Sequence, residues 1–214
     1  MKLVNDPVER TTAATDIILA LVAFGGIWLL QGHADNTGAL WRINIWSAAI
    51  GLIGLAAVLG AVVHGLVTPP ALQNRIWLVL NMALAAAVSL FVVGVINDLW
   101  GFEVSKKALP VMLIAGLGFY LVTLIYTGIF VVFIIYEGLA LVFALCVYGF
   151  LAIAGEQGAG YMAAGVLLSI FAAGLQARKS IGFKLIWKFD HNGIYHLVQT
   201  VGLLFLFAGL VRFH

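Results

Sequence analysis

Long apolar segments with very few charges are the feature that most constrains what this chain can fold into. Only 9% of its 214 residues are charged and 64% are hydrophobic, whereas a typical soluble chain has about 25% charged residues. A helix needs roughly 20 apolar residues to cross the hydrocarbon core of a bilayer. This pattern predicts an integral membrane protein and excludes a soluble nucleic-acid-binding module, a secreted disulfide scaffold and a disordered chain. The single cysteine, Cys146, excludes an internal disulfide.

The apolar segments are long enough for seven spanning helices. Helices are expected because lipid offers the backbone no hydrogen-bond partner, and the alternating pattern of a membrane β-barrel is absent. We therefore predict an all-α fold, with residues 1–214 forming a single bundle of seven transmembrane helices. The predicted spans are about residues 14–31, 45–67, 76–96, 109–126, 129–154, 159–177 and 193–212. The boundary near residue 127 divides an apolar run that is too long for one span.

The basic residues predict how the chain is oriented in the membrane. The face that holds the N-terminus has seven of them, namely Lys2, Arg10, Arg75, Arg178, Lys179, Lys184 and Lys188. The opposite face has four, namely Arg42, Lys106, Lys107 and Arg212. The positive-inside rule thus predicts a cytoplasmic N-terminus and an outer C-terminus. We also expect the basic segment 178–188 to contact anionic lipid headgroups. Acidic residues around the start of the first span disfavour a cleaved signal peptide.

Three of the five histidines are predicted to lie at one level of the membrane. His64 comes late in the second span, and His191 and His196 open the seventh. An even-numbered span ends on the face where an odd-numbered span begins, so these histidines share the N-terminal face, whereas His33 and His214 belong to the opposite one. Three histidines at one level are typical of a tetrahedral metal site with one open position. Imidazole suits zinc, copper, iron and nickel alike.

Other polar residues at this level have both a catalytic and a structural interpretation. Asp16 and Asp190 could orient or deprotonate a metal-bound water, and Asn81 could bind a substrate carbonyl or that water. The structural alternative makes Asp190 or Asn192 the N-cap of the seventh helix and Asp16 the N-cap of the first, which for Asp16 is favoured over catalysis. His64 alone is more typical of a helix-packing residue. Glu137, near mid-bilayer, is expected to be hydrogen-bonded or paired with another span, or to mark a proton or substrate path.

The segment from Phe189 to Gln199, with its two histidines and the aromatic residue before the second, completes a pattern with His64. The chain in this respect resembles the seven-span membrane hydrolase superfamily of alkaline ceramidases and adiponectin/progestin receptors. That resemblance implies zinc bound by His64, His191 and His196. It also implies a metal-activated water that cleaves a lipid amide such as ceramide.

Three positions depart from the pattern of that superfamily. Its histidine pair is spaced i, i+4, whereas His191 and His196 are spaced i, i+5, about 140° apart around a regular helix. Both can reach one metal only if His191 precedes the regular helix or a π-bulge intervenes. Gly60 replaces the serine that lies one turn before the first histidine, and Asn81 replaces the acid of span three. These departures concern the reaction more than the fold.

The first functional hypothesis is therefore a zinc-dependent membrane hydrolase that acts on a lipid amide or ester. Its expected partners are membrane lipid and a lipid-like substrate, without nucleic acid, and the oligomeric state is left open. The alternative hypothesis is a non-enzymatic seven-helix receptor, sensor or small transporter, with a structural metal or none. A haem-binding electron-transfer protein with paired histidines is a third possibility.

Overall fold

The computed structural model describes residues 2–32, 40–126, 130–178, 182–184 and 187–212. Within these ranges the elements are α1 (Pro7–Gly32), α2 (Leu40–Gly65), α3 (Pro70–Trp100), α4 (Phe102–Ile125), α5 (Phe130–Ile153), α6 (Ala159–Ala177), β1 (Phe183–Lys184), β2 (Lys188–Phe189) and α7 (His191–Leu210). Each of these seven helices is long and apolar enough to cross a membrane. The predicted all-α, seven-helix membrane fold is therefore confirmed. The turn predicted near residue 127 lies outside the described residues, because 127–129 separate α4 from α5.

Several helices begin before the apolar runs do. The first helical residue of α1 is Pro7, and the carboxylate of Asp6 accepts a hydrogen bond from the Val8 backbone N–H at 2.8 Å. An acidic cap followed by proline is a favourable helix start, since proline has no N–H to leave unpaired there. Asp16 consequently lies inside α1, so the prediction that it caps this helix is wrong. The polar first turns of α1 simply continue the helix beyond the apolar run.

Six of the helices form a closed ring, and one helix, α4, lies outside it. Along the ring, α1 packs against α2, α2 against α3, α3 against α5, α5 against α6, α6 against α7, and α7 against α1. The remaining helix, α4, packs mainly on α3 and buries little of its surface. This order brings the first and last helices of the chain together.

Small residues let neighbouring helices of the ring approach closely. A side chain at Gly165 of α6 would lie only 2.8 Å from the Gly202 carbonyl oxygen of α7. A side chain at Gly94 of α3 would lie 2.7 Å from the ring of Trp46, a fully buried residue of α2. Close backbone approach at glycine is a common way to pack membrane helices, where apolar lipid gives little drive for association.

The N-terminal face of the bundle collects the starts of α1, α3, α5 and α7. Before α1, Leu3 pairs with Leu66, the residue after α2, in an isolated antiparallel β-bridge. Between α6 and α7, β1 and β2 form a short antiparallel hairpin that the sequence did not predict, and β2 contacts α1.

Candidate functional site

A buried carboxylate–imidazole pair joins α1 to α7 near the N-terminal face. Asp16 Oδ1 lies 3.2 Å from His196 Nε2, and the two side chains are only 4% and 11% exposed. At 1.5 Å per residue, Asp16 lies about 14 Å from the start of its helix and His196 about 8 Å from the start of its own. Ionisable groups at such depth are costly and are a default indication of a functional site.

The other ring nitrogen of His196 faces a threonine hydroxyl. Thr15 Oγ1 lies 3.2 Å from His196 Nδ1 and donates to the Thr12 carbonyl oxygen at 2.8 Å. The Thr15 hydroxyl has a single proton, so the tautomer of His196 sets which atom donates in the contact with Nδ1. We call Thr15, Asp16 and His196 the Asp16 site.

The second carboxylate oxygen of Asp16 has unused hydrogen-bonding capacity. Oδ2 is buried and has no hydrogen-bond partner among the described residues, and the same holds for Gln199 Oε1, one turn further along α7. Space for the carboxylate comes from Gly60 of α2, where a Cβ atom would lie 2.9 Å from Oδ2. Gly60, which replaces the serine of the hydrolase pattern, therefore leaves a space that the side chain of Asp16 occupies. A buried acceptor without a partner needs a donor from a proton, a water or a bound group.

The three predicted metal ligands lie beside three different carboxylates. His64 Nδ1 lies 2.6 Å from Glu9 Oε2, and His191 Nδ1 lies 3.8 Å from Asp190 Oδ2, while His196 faces Asp16. His191 is the first residue of a regular α7, so the i, i+5 spacing turns it away from His196. Within the described ranges, no group of three or more His, Cys, Asp and Glu side chains could hold a metal ion. These residues do not fit the zinc site that the resemblance implies.

The remaining predicted residues divide between structural and open roles. Asp190 caps α7, since its Oδ1 accepts from the Gly193 N–H at 2.9 Å, and Thr12 Oγ1 donates to the same oxygen at 3.0 Å. The structural interpretation of Asp190 is thus confirmed. Asn81 is partly buried on α3, about three turns from its start. Glu137 of α5 is partly buried. His33 and His214, assigned to the opposite face, lie outside the described residues.

A second polar cluster lies near the opposite face and was missed by the sequence analysis. Arg42 Nε of α2 lies 2.6 Å from Asp98 Oδ1 of α3, and the Tyr148 hydroxyl of α5 donates to Asp98 Oδ2 at 2.8 Å. The Asp98 side chain is 0% exposed. We call these three residues the Arg42 cluster. The sequence does place a positive residue, Arg42, and a negative residue, Asp98, at the same level of adjacent spans. The sequence analysis used Arg42 only to predict the orientation of the chain in the membrane.

The sequence matches the model of a known protein family. The profile of DUF6962, described as a family of unknown function, matches residues 11–214. The chain belongs to this family. The match begins inside α1 and includes both polar clusters. No curated protein and no solved structure matches the chain.

Proposed function

We propose that this DUF6962 protein is a non-enzymatic membrane protein, a small transporter or a sensor, that binds a cationic, hydrogen-bond-donating solute at the Asp16 site. The observation that carries this proposal is the buried Asp16 Oδ2, which has no hydrogen-bond partner within the described parts of the chain. An amine-type cation would donate a hydrogen bond to this oxygen and would place a positive charge beside the carboxylate.

The surroundings of the site support a binding role. Asp16 and Gln199 present buried acceptor oxygens at neighbouring levels of α1 and α7. Ionisable residues facing the interior of a membrane bundle commonly mark solute, ion or proton paths. Zinc-dependent hydrolysis of a lipid amide or ester stays a prediction that rests on the family resemblance. The contacts of the three histidines do not favour it, because each histidine lies beside a different carboxylate.

The test uses methylammonium, a small cation with N–H donors, and the purified full-length protein in proteoliposomes. We expect saturable binding or uptake by the wild type. Asp16→Asn keeps the size of the side chain but removes its charge, so affinity should fall about ten-fold or more. The matched control is Asp6→Asn, which makes the same change at an exposed helix cap where asparagine serves equally well.

The outcomes separate the alternatives. Uptake into the vesicles would identify a transporter, and binding without uptake would identify a sensor. Absence of both, or equal affinities for wild type and Asp16→Asn, would refute the proposal. Metal analysis tests the competing hypothesis: stoichiometric zinc that is lost in both His64→Ala and His196→Ala would favour the hydrolase instead.

A further inference from the structure

Two lysines face each other across the hairpin that connects α6 to α7. The strand register pairs Lys184 directly with Lys188. Directly opposed residues of an antiparallel pair have side chains on the same face, with Cβ atoms about 5 Å apart. Both lysines are exposed. The fold therefore concentrates two positive charges on one face of a very short element.

This arrangement is unfavourable for the hairpin on its own. Like charges that are directly opposite destabilise a strand pair, and an isolated two-stranded hairpin is marginally stable at best. Neither lysine forms an ion pair with any residue of the described ranges. An external anion between the two ammonium groups would remove the repulsion.

The position of the hairpin indicates where that anion comes from. Lys188 lies three residues before His191, the first residue of the membrane-spanning helix α7. Trp187, directly before β2, is 65% exposed. Tryptophan is enriched at the level of lipid headgroups, and basic residues next to a span are attracted to anionic lipids. Arg178, exposed just after α6, adds a third positive charge to the same connection.

We propose that Lys184, Lys188 and Trp187 form a binding surface for the headgroups of anionic phospholipids in the leaflet next to the N-terminal face. Charge complementarity favours an anionic lipid, and the exposed tryptophan beside the lysines favours the membrane interface over solution. This surface is separate from the Asp16 site and does not depend on the proposed solute.

Native mass spectrometry of the purified full-length protein, with equimolar phosphatidylglycerol and phosphatidylcholine, tests the proposal. We expect the wild type to retain phosphatidylglycerol preferentially. Each lysine near an anionic surface strengthens binding about five-fold, so Lys184→Gln/Lys188→Gln should lower the preference roughly 25-fold. The same double variant should unfold at an equal or higher temperature in neutral detergent, because the repulsion is gone.

Two matched variants complete the design. Lys184→Arg/Lys188→Arg keeps both charges and should keep the preference. Lys106→Gln/Lys107→Gln removes two exposed charges from the start of α4 at the opposite face and should change it far less. Equal losses from the two Gln pairs, or loss in the Arg pair, would overturn the proposal. Displacement of the lipid by the same concentration of inorganic phosphate would overturn it too, since that outcome defines a free-anion site.

Discussion

Two aspartates at opposite ends of the bundle have the same chemistry but different surroundings. In the Arg42 cluster, both carboxylate oxygens of Asp98 are bound: Oδ1 by the Arg42 guanidinium, and Oδ2 by the same guanidinium and by the Tyr148 phenol. In the Asp16 site, one oxygen faces His196 and the other is without a partner in the described part of the chain. A fully bound carboxylate holds helices together, whereas one with an unused acceptor is available to a proton or a solute. Burial alone therefore does not distinguish a structural aspartate from a functional one.

Helix α2 contributes to both places. Arg42 and Gly60 are separated by 18 positions along the same helix, or about 27 Å. This distance approaches the thickness of the hydrocarbon core, roughly 30 Å. The two clusters thus lie far apart, near opposite ends of the bundle, and mutations in one should not disturb the other.

The largest expected effect comes from removing the charge partner of Asp98. Arg42→Ala leaves a carboxylate with 0% side-chain exposure without its guanidinium. Breaking a buried ion pair in this way costs about 3–5 kcal/mol of unfolding free energy. Chemical denaturation in detergent measures this value. Lys107→Ala, which removes an exposed charge at the same end, should cost far less; similar losses in the two variants would show that the cluster is not a structural element.

The Tyr148 hydroxyl provides a finer test of the same cluster. Tyr148→Phe removes the shorter of two hydrogen bonds to Asp98 Oδ2, at 2.8 Å, and leaves the one from Arg42 in place. A hydrogen bond to a charged group contributes about 1.5–3 kcal/mol. Tyr161→Phe is the control, since Tyr161 is 43% exposed. Equal unfolding free energies for Tyr148→Phe and wild type would contradict the distinction drawn between the clusters.

Gly60 tests the space occupied by the Asp16 side chain. In Gly60→Ala the new Cβ atom would lie 2.9 Å from Asp16 Oδ2, so the carboxylate must shift. We expect a loss of about 1–3 kcal/mol, typical of overpacking, together with weaker methylammonium binding. In Gly51→Ala of the same helix, the nearest atom is 3.5 Å away, an ordinary contact. That control should be neutral or stabilised, and a comparable loss there would rule out a specific role for Gly60.

The smallest effect on stability should come from Asp16→Asn. The amide oxygen can still accept from His196, and a buried charge is removed, so the unfolding free energy should change by less than about 1 kcal/mol. The affinity for methylammonium should nevertheless fall about ten-fold or more. Asp98→Asn is the comparison and should destabilise the protein clearly, because it weakens the pair with Arg42. If Asp16→Asn unfolds as readily as Asp98→Asn, both aspartates are structural.

The sequence predicted the level of the candidate site better than its pairings. His196 and Asp16 were placed at one level of the membrane because topology fixes the face at which each span begins. Their 3.2 Å contact depends on α1 packing beside α7, and neighbour relations between distant helices cannot be inferred from hydropathy. The zinc interpretation grouped His64 with His196 for the same reason, although the bundle pairs His64 with Glu9. The Asp190 cap was predictable, since the side chain binds a backbone N–H only three residues away.

By itself, the sequence determined that this chain forms seven membrane-spanning helices, since each run of apolar residues must satisfy its backbone within one helix and bury its side chains in lipid. Tertiary structure decided which polar groups meet. It closed the ring with α1 against α7 and assigned a separate carboxylate to each of three histidines. Among the residues that the structure describes, it left one oxygen of Asp16 without a partner beside Gly60. Such pairings depend on how each helix is rotated and on which helices are neighbours. Close contacts at glycine and buried ion pairs fix both, and they form only when the whole bundle packs.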